Sequence, residues 1–125
     1  MTPLNRVREI ALALPEAYEK AGHGRPTFHI RKGKSFVMFM DNHHNDGRLA
    51  IWCNADEGAQ DVLVRGRPER FFVPPYVGHR GWVGMRLEGK VDWDEVAMII
   101  EDAWRAAAPK KLLATLDGRK EREVV

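Results

Sequence analysis

Three extended-type runs follow one another with only a few residues between them: Thr27–Arg31, Ser35–Met40 and Arg48–Cys53. In the first, Phe28 and Ile30 alternate with Thr27, His29 and Arg31, the two-residue period of a half-buried strand. Lys32-Gly33-Lys34 reads as a tight hairpin turn, since glycine tolerates the positive φ such turns need. Ser35–Met40 is almost wholly apolar and reads as a central strand contacted on both faces. Beyond the polar loop 41–47, Leu49, Ile51 and Cys53 alternate with Ala50 and Trp52. A parallel crossover needs about a dozen residues, so strands this close must pair antiparallel.

Helical periodicity surrounds these runs. Thr2 and Pro3 offer an N-cap and a proline at the first helical position, followed by Leu4, Val7, Ala11 and Leu14 before Pro15 stops the pattern. Residues 15–26, punctuated by Pro15, Gly22, Gly24 and Pro26, read as a connection. Asn54 and Glu57 form a capping-box pair for a helix to about Arg65, with Ala59, Val62 and Leu63 buried and Gly66 as its stop. Phe71-Phe72-Val73, bounded by prolines, reads as a short edge strand or a packed loop. In Trp82–Glu88, Val83, Met85 and Leu87 alternate with Trp82, Gly84, Arg86 and Glu88. Asp92 with Glu95 is a second capping box, ahead of a stripe of Val96, Ile99, Ile100, Ala103 and Ala107. Leu112, Leu113 and Leu116 suggest one more short helix, and 117–125 a charged, mobile tail. The expectation is an α+β class: a two-layer α/β sandwich with an antiparallel sheet of about five strands, in the order α-β-β-β-α-β-β-α. One domain spans 1–116, as suits a chain of 125 residues.

The 44% hydrophobic and 30% charged content is ordinary globular usage and excludes wholesale disorder. No apolar run approaches the roughly 18 residues of a membrane helix. Arg6, Arg8 and Glu9 interrupt the N-terminal apolar pattern, so it reads as neither signal peptide nor anchor. Cys53 is the single cysteine. That excludes an intrachain disulfide and points to a reducing, cytoplasmic setting.

Net charge is only +2, but its distribution is uneven: +3 over residues 1–50, +1 over 51–90 and −2 over 91–125. Lys20, Arg25, Arg31, Lys32 and Lys34 form a stretch without a carboxylate, joined by His23 and His29. Arg65, Arg67, Arg70, Arg80 and Arg86 form another against Glu69 alone. If the fold brings them together they make a basic face, the footprint of a polyanion partner.

Catalytic patterns are sparse. Ser35 and Cys53 sit inside strand patterns rather than on glycine-flanked turns, and Cys53 reads as a buried structural thiol. Gly22-His23-Gly24 is too short for a phosphate cradle. His43-His44 could be metal ligands or an exposed turn, but no third ligand accompanies them at metal-site spacing, so no metal or cofactor is expected. Asp92, Asp94 and Glu95 favour a helix N-terminus for structural reasons. What remains is Tyr76, His79, Arg80, Trp82 and Arg86. Trp82 either stacks on a base or packs under the Pro74-Pro75 loop.

Leu14-Pro15, Gly24-x-Pro26-x-Phe28, Gly33-Lys34-x-Phe36, Pro75-Tyr76, Gly81-Trp82-Val83, Leu87-x-Gly89 and Ala103-Trp104 together resemble the bacterial MmcQ/YjbR family over about residues 4–116. The resemblance implies a two-layer fold with an antiparallel sheet, and a DNA-binding role through a proposed double-wing motif. Some members carry a phosphoribosylglycinamide formyltransferase label, but no formyltransferase motif is evident in this chain. The expected function is weak, salt-sensitive DNA binding, mainly to the phosphate backbone, by a non-catalytic protein, with a monomer slightly favoured. Arg25, Arg31, Lys32 and Lys34 would form one wing. Arg80, Trp82 and Arg86, with Arg67 and Arg70, would form the other. The alternative is a small-ligand or protein-binding module whose pocket is lined by Tyr76, His79 and Trp82.

Overall fold

The computed structural model describes residues 1–31 and 34–124. The turn at Lys32-Gly33 therefore lies outside the described residues. Helix α1 (Pro3–Leu12) starts as its sequence requires, with the Thr2 hydroxyl accepting from the Asn5 N–H at 3.1 Å and proline in the first turn. Six strands follow, interrupted by helix α2 (Ala59–Gly66): β1 (Ala17–Glu19), β2 (Thr27–Ile30), β3 (Ser35–Asp41), β4 (Leu49–Cys53), β5 (Phe71–Phe72) and β6 (Val83–Arg86). Helices α3 (Trp93–Ala107) and α4 (Lys110–Val124) close the chain. The strands form one sheet in the order β1-β2-β3-β4-β6-β5, every neighbouring pair antiparallel. The class is α+β, and the sheet has one strand more than expected.

The additional strand is β1, in the segment read as a connection. It pairs Tyr18 with His29, and the chain reverses at His23-Gly24, both at positive φ (51° and 77°). Two positive-φ residues in the turn are the hairpin geometry usually signalled by Asn-Gly. Histidine in the first position concealed it. Two further boundaries differ. Asn54 donates its N–H to the Phe36 carbonyl, extending the β4–β3 ladder, so α2 begins only at Ala59 and Val62 is exposed rather than buried. Residues 117–124, read as a tail, are helical: α4 packs Leu116 against the core, and its Asp117 and Lys120 pair with Arg105 and Glu101 of α3.

The sheet is buried on both sides, by different means. On one side, Phe28, Ile30, Val37, Phe39, Ile51 and Met85 pack under the apolar stripes of α1 and α3. Trp104 is fully buried there, its indole N–H donating to the Pro15 carbonyl at 3.0 Å. Asp92 caps α3 through the N–H groups of Asp94 and Glu95, but the Glu95 side chain turns away to Arg67 instead of completing a capping box. On the other side Met40, Ala50, Trp52, Phe72, Val77 and Trp82 form a smaller cluster. No helix covers it. The 73–81 loop does, tied down by Gln60 of α2, whose amide donates to the carbonyls of Gly78 (2.8 Å) and Trp82 (2.6 Å). Among the described residues no helix is long and apolar enough to cross a membrane.

Candidate functional site

The antiparallel register separates the basic residues that the sequence reading had joined. Arg31 and Lys34 flank the β2–β3 hairpin, whereas Arg25 precedes β2 at the opposite end, where β3 finishes at Asp41. Six residues of extended chain span about 20 Å, so Arg25, Arg31 and Lys34 do not form one compact patch. Lys32 lies outside the described residues. Arg31 also pairs with Glu16 at 3.6 Å.

In the second group two arginines serve the fold. Arg67 is held between Glu95 and Glu69, which raise its pKa, above all through the hydrogen bond that Arg67 donates to Glu95. Arg70 donates to the carbonyls of Arg86, Glu88 and Lys90 at 2.7, 3.1 and 3.1 Å, tying the β5 edge to the end of β6. Trp82 is only 2% exposed. The expectation that it inserts into or stacks on a nucleic acid is corrected: its strand neighbours place it on the helix-free side, but the 73–81 loop lies over that side and encloses the indole.

The helix-free side nonetheless keeps a distinctive electrostatic character. The two strand carboxylates, Glu19 and Asp41, stand opposite Phe28 and Leu49 in the register, and so on the helix-covered side. Arg86 and Arg48, the residue leading into β4, converge from the helix-free side on the ring of Phe72, with guanidinium carbons 5.2 and 4.1 Å from its centroid. Arg80 lies 5.8 Å from the Trp82 ring centre. Among the described residues none of these three arginines has a carboxylate ion-pair partner. A guanidinium over an aromatic face keeps N–H donors at its edge for an incoming anion.

Beside Arg48 the chain makes a tight polar loop. Asn42 enters at φ 54°, and its side-chain oxygen accepts from the Gly47 N–H at 2.8 Å. Asp46 accepts from the Arg48 N–H at 2.9 Å. This stapling stacks His43 on His44, with ring centres 4.1 Å apart and planes 9° from parallel, and sets His43 edge-on to Trp52 at 4.9 Å. Tyr76 approaches from the covering loop at φ 65°, its hydroxyl 3.5 Å from His44 Nδ1, the outer limit of a hydrogen bond. His44 and Tyr76, with Arg48, Asp46, Val73 and Pro75, border an open cleft of about 340 Å³ that His43 also lines. Burial lowers the His43 pKa, with further lowering from His44 and Arg25 against an opposing pull from Asp46, which favours the neutral ring.

Of the expected pocket residues, Tyr76 therefore lines the cleft, His79 does not, and Trp82 is buried beneath the loop. Arg48 is the cleft residue that the sequence reading missed, while His43 and His44, considered there as metal ligands or an exposed turn, line the cleft instead. The available signal was a histidine pair in a loop that returns, through Asp-Gly, to an arginine at the start of a strand. Among the described residues no group of three or more His, Cys, Asp or Glu side chains could hold a metal ion. Cys53 is buried, and burial pushes its thiol pKa well up, which disfavours a thiolate.

Comparison with known proteins matches this architecture. No curated protein matches the chain. The Deinococcus radiodurans protein DR2400, a crystal structure with a DUF419 domain, superposes with a TM-score of 0.68 at 16% identity, covering 83% of this chain and 77% of the other. At that identity the likeness concerns the fold. The YjbR family model matches residues 12–106, from the end of the first helix to the last turn of α3, and the chain belongs to the YjbR family.

Proposed function

We propose that this protein binds DNA weakly, mainly through the phosphate backbone, using the helix-free side of its sheet. The observation that carries the reading is the charge arrangement there: Arg48, Arg80 and Arg86 lie over aromatic rings without carboxylate partners among the described residues, and both described strand carboxylates face the other way. Phosphate contacts supply affinity without sequence information, and a net charge of only +2 favours modest, salt-sensitive binding. The interface differs in composition from the two wings expected from sequence, because Arg67 and Arg70 are occupied and Trp82 is covered. A binding rather than catalytic role fits a chain whose thiol is buried, and a reducing, cytoplasmic compartment suits its single cysteine.

The test is fluorescence anisotropy of a labelled mixed-sequence duplex titrated with the 125-residue chain at several salt concentrations. Log affinity should fall linearly with log salt, and replacing both Arg48 and Arg86 by alanine should reduce the slope by about two phosphate contacts. A salt slope unchanged in the double variant removes this face from the model. The cleft favours a second reading, a small anionic ligand held by Arg48 beside Tyr76. Binding of small phosphates with no binding of duplex would select it.

A further inference from the structure

We propose that the cleft between His44 and Tyr76 takes one unpaired nucleotide of a single-stranded nucleic acid, its base against the Tyr76 ring and its phosphate on Arg48. This rests on the nucleic-acid reading of the same face. Three features converge on it. The first is size and shape. An open cleft of about 340 Å³ is at the small end for ligand sites, and it matches one nucleotide rather than a duplex surface.

The second is exposed aromatic surface beside the covered cluster of Met40, Ala50, Trp52, Phe72, Val77 and Trp82. Tyr76 is 66% exposed, although its backbone is held at positive φ inside a loop closed by the Gly78 N–H to Pro74 carbonyl bond of 3.0 Å and anchored by Gln60. The ring is thus presented on a fixed support. Across the same side of the sheet, Tyr18 stacks on His29 at 5.3 Å and 20° and is also exposed, giving a second ring platform toward the β1 edge. A duplex hides its base faces in its own stack. A single strand offers them, and stacking on aromatic side chains is tolerant of sequence.

The third is charge. Arg48 borders the cleft and Arg86 stands beside it on the same Phe72 ring, both without carboxylate partners among the described residues. Asp46 is the acidic group lining the cleft, and one of its oxygens is already engaged by the Arg48 backbone N–H. The arrangement thus combines a stacking ring with guanidinium donors, the pairing that single-strand binders use.

The experiment uses the full chain and four probes at one low salt concentration: a short mixed-sequence DNA strand, the RNA strand of the same sequence, the matching DNA duplex and inorganic phosphate. At least one strand should bind about tenfold more tightly than the duplex. Tyr76→Ala should bring the strand down to duplex affinity, Tyr76→Phe should keep the preference, and Arg86→Ala should weaken strand and duplex alike. Because Tyr76 is exposed, an unchanged thermal melt of Tyr76→Ala will separate lost stacking from lost fold. A preference for RNA or for DNA supports the proposal and identifies the sugar. Equal binding of strands and duplex, or an equal loss of both in Tyr76→Ala, overturns it while leaving backbone binding intact. Binding of phosphate but of no oligonucleotide overturns both readings.

Discussion

At the scale of single residues, the helix-free side depends on the absence of a side chain at Gly84. A Cβ there would come within 2.4 Å of the Phe72 ring, closer than atoms can approach. Glycine normally weakens a strand, but here it lets Phe72 lie across β6, where the ring meets Arg48 and Arg86. Gly84→Ala should therefore cost about 1–3 kcal/mol through overpacking, measured as a lower midpoint in urea unfolding. Displacing the ring should also weaken the proposed nucleic-acid binding. An unchanged midpoint would mean that Phe72 has room to withdraw.

At the scale of elements, α4 shows how a charged segment acquires a place. Its apolar content is small, and Leu116 is the residue it buries most deeply. Leu112 and Leu113 pack partly against the same core, and charge adds to the contact: Lys120 reaches Glu101 at 2.9 Å, while Arg105 bridges Glu101 and Asp117 at 3.2 and 2.9 Å. Burial pushes the Glu101 carboxyl up, but the hydrogen bonds from Lys120 and Arg105 outweigh it and hold the pKa below its ordinary value. A carboxyl depressed in the native state binds fewer protons there than when unfolded. Its stabilisation is present above the unfolded value and is lost as pH falls through the native one. Asp102 opposes this in acid, because burial and the neighbouring Glu101 and Asp56 raise its pKa. Glu101→Gln should remove Glu101's share of the acid loss. It should also speed amide hydrogen exchange in α4 while α3 remains protected. The pairs are partly exposed, so the cost at neutral pH should stay below about 1 kcal/mol. Unchanged exchange in α4 would mean that Leu112, Leu113 and Leu116 dock the helix without help from the ion pairs.

At the scale of the whole molecule, the two layers divide the work of their charges. Several ion pairs secure the helical layer and its connections, among them Arg8 with Glu19, Arg67 with Glu95 and Arg105 with Asp117. Of the five arginines that lie over rings among the described residues, Arg48, Arg80 and Arg86 belong to the helix-free side, while Arg6 over Trp93 and Arg67 over Phe71 belong to the helical layer. Backbone NMR shifts on adding a short oligonucleotide should consequently concentrate around Arg48, Tyr76 and Arg86 and spare α3 and α4. Shifts centred on α3 or α4 would move the interface to the other layer.

Much of this organisation was legible in sequence. Alternation in Thr27–Ile30 and Leu49–Cys53, the apolar run of β3, the Thr2 and Asp92 caps and the stripe of α3 are local signals, and short connections force antiparallel pairing. By those signals the chain by itself determined the α+β class, most of the element order and the burial of Cys53. Tertiary structure decided which cations remain available. Arg67 and Arg70 found partners on α3 and at the β6 end, while Arg48 and Arg86 met over one ring through the β4–β6 pairing. It also decided that a loop would cover Trp82 and leave Tyr76 outside. Periodicity records which face of its own element a side chain occupies. What lies across that face depends on register and on distant segments, so the proposed binding surface becomes definite only when the sheet has formed.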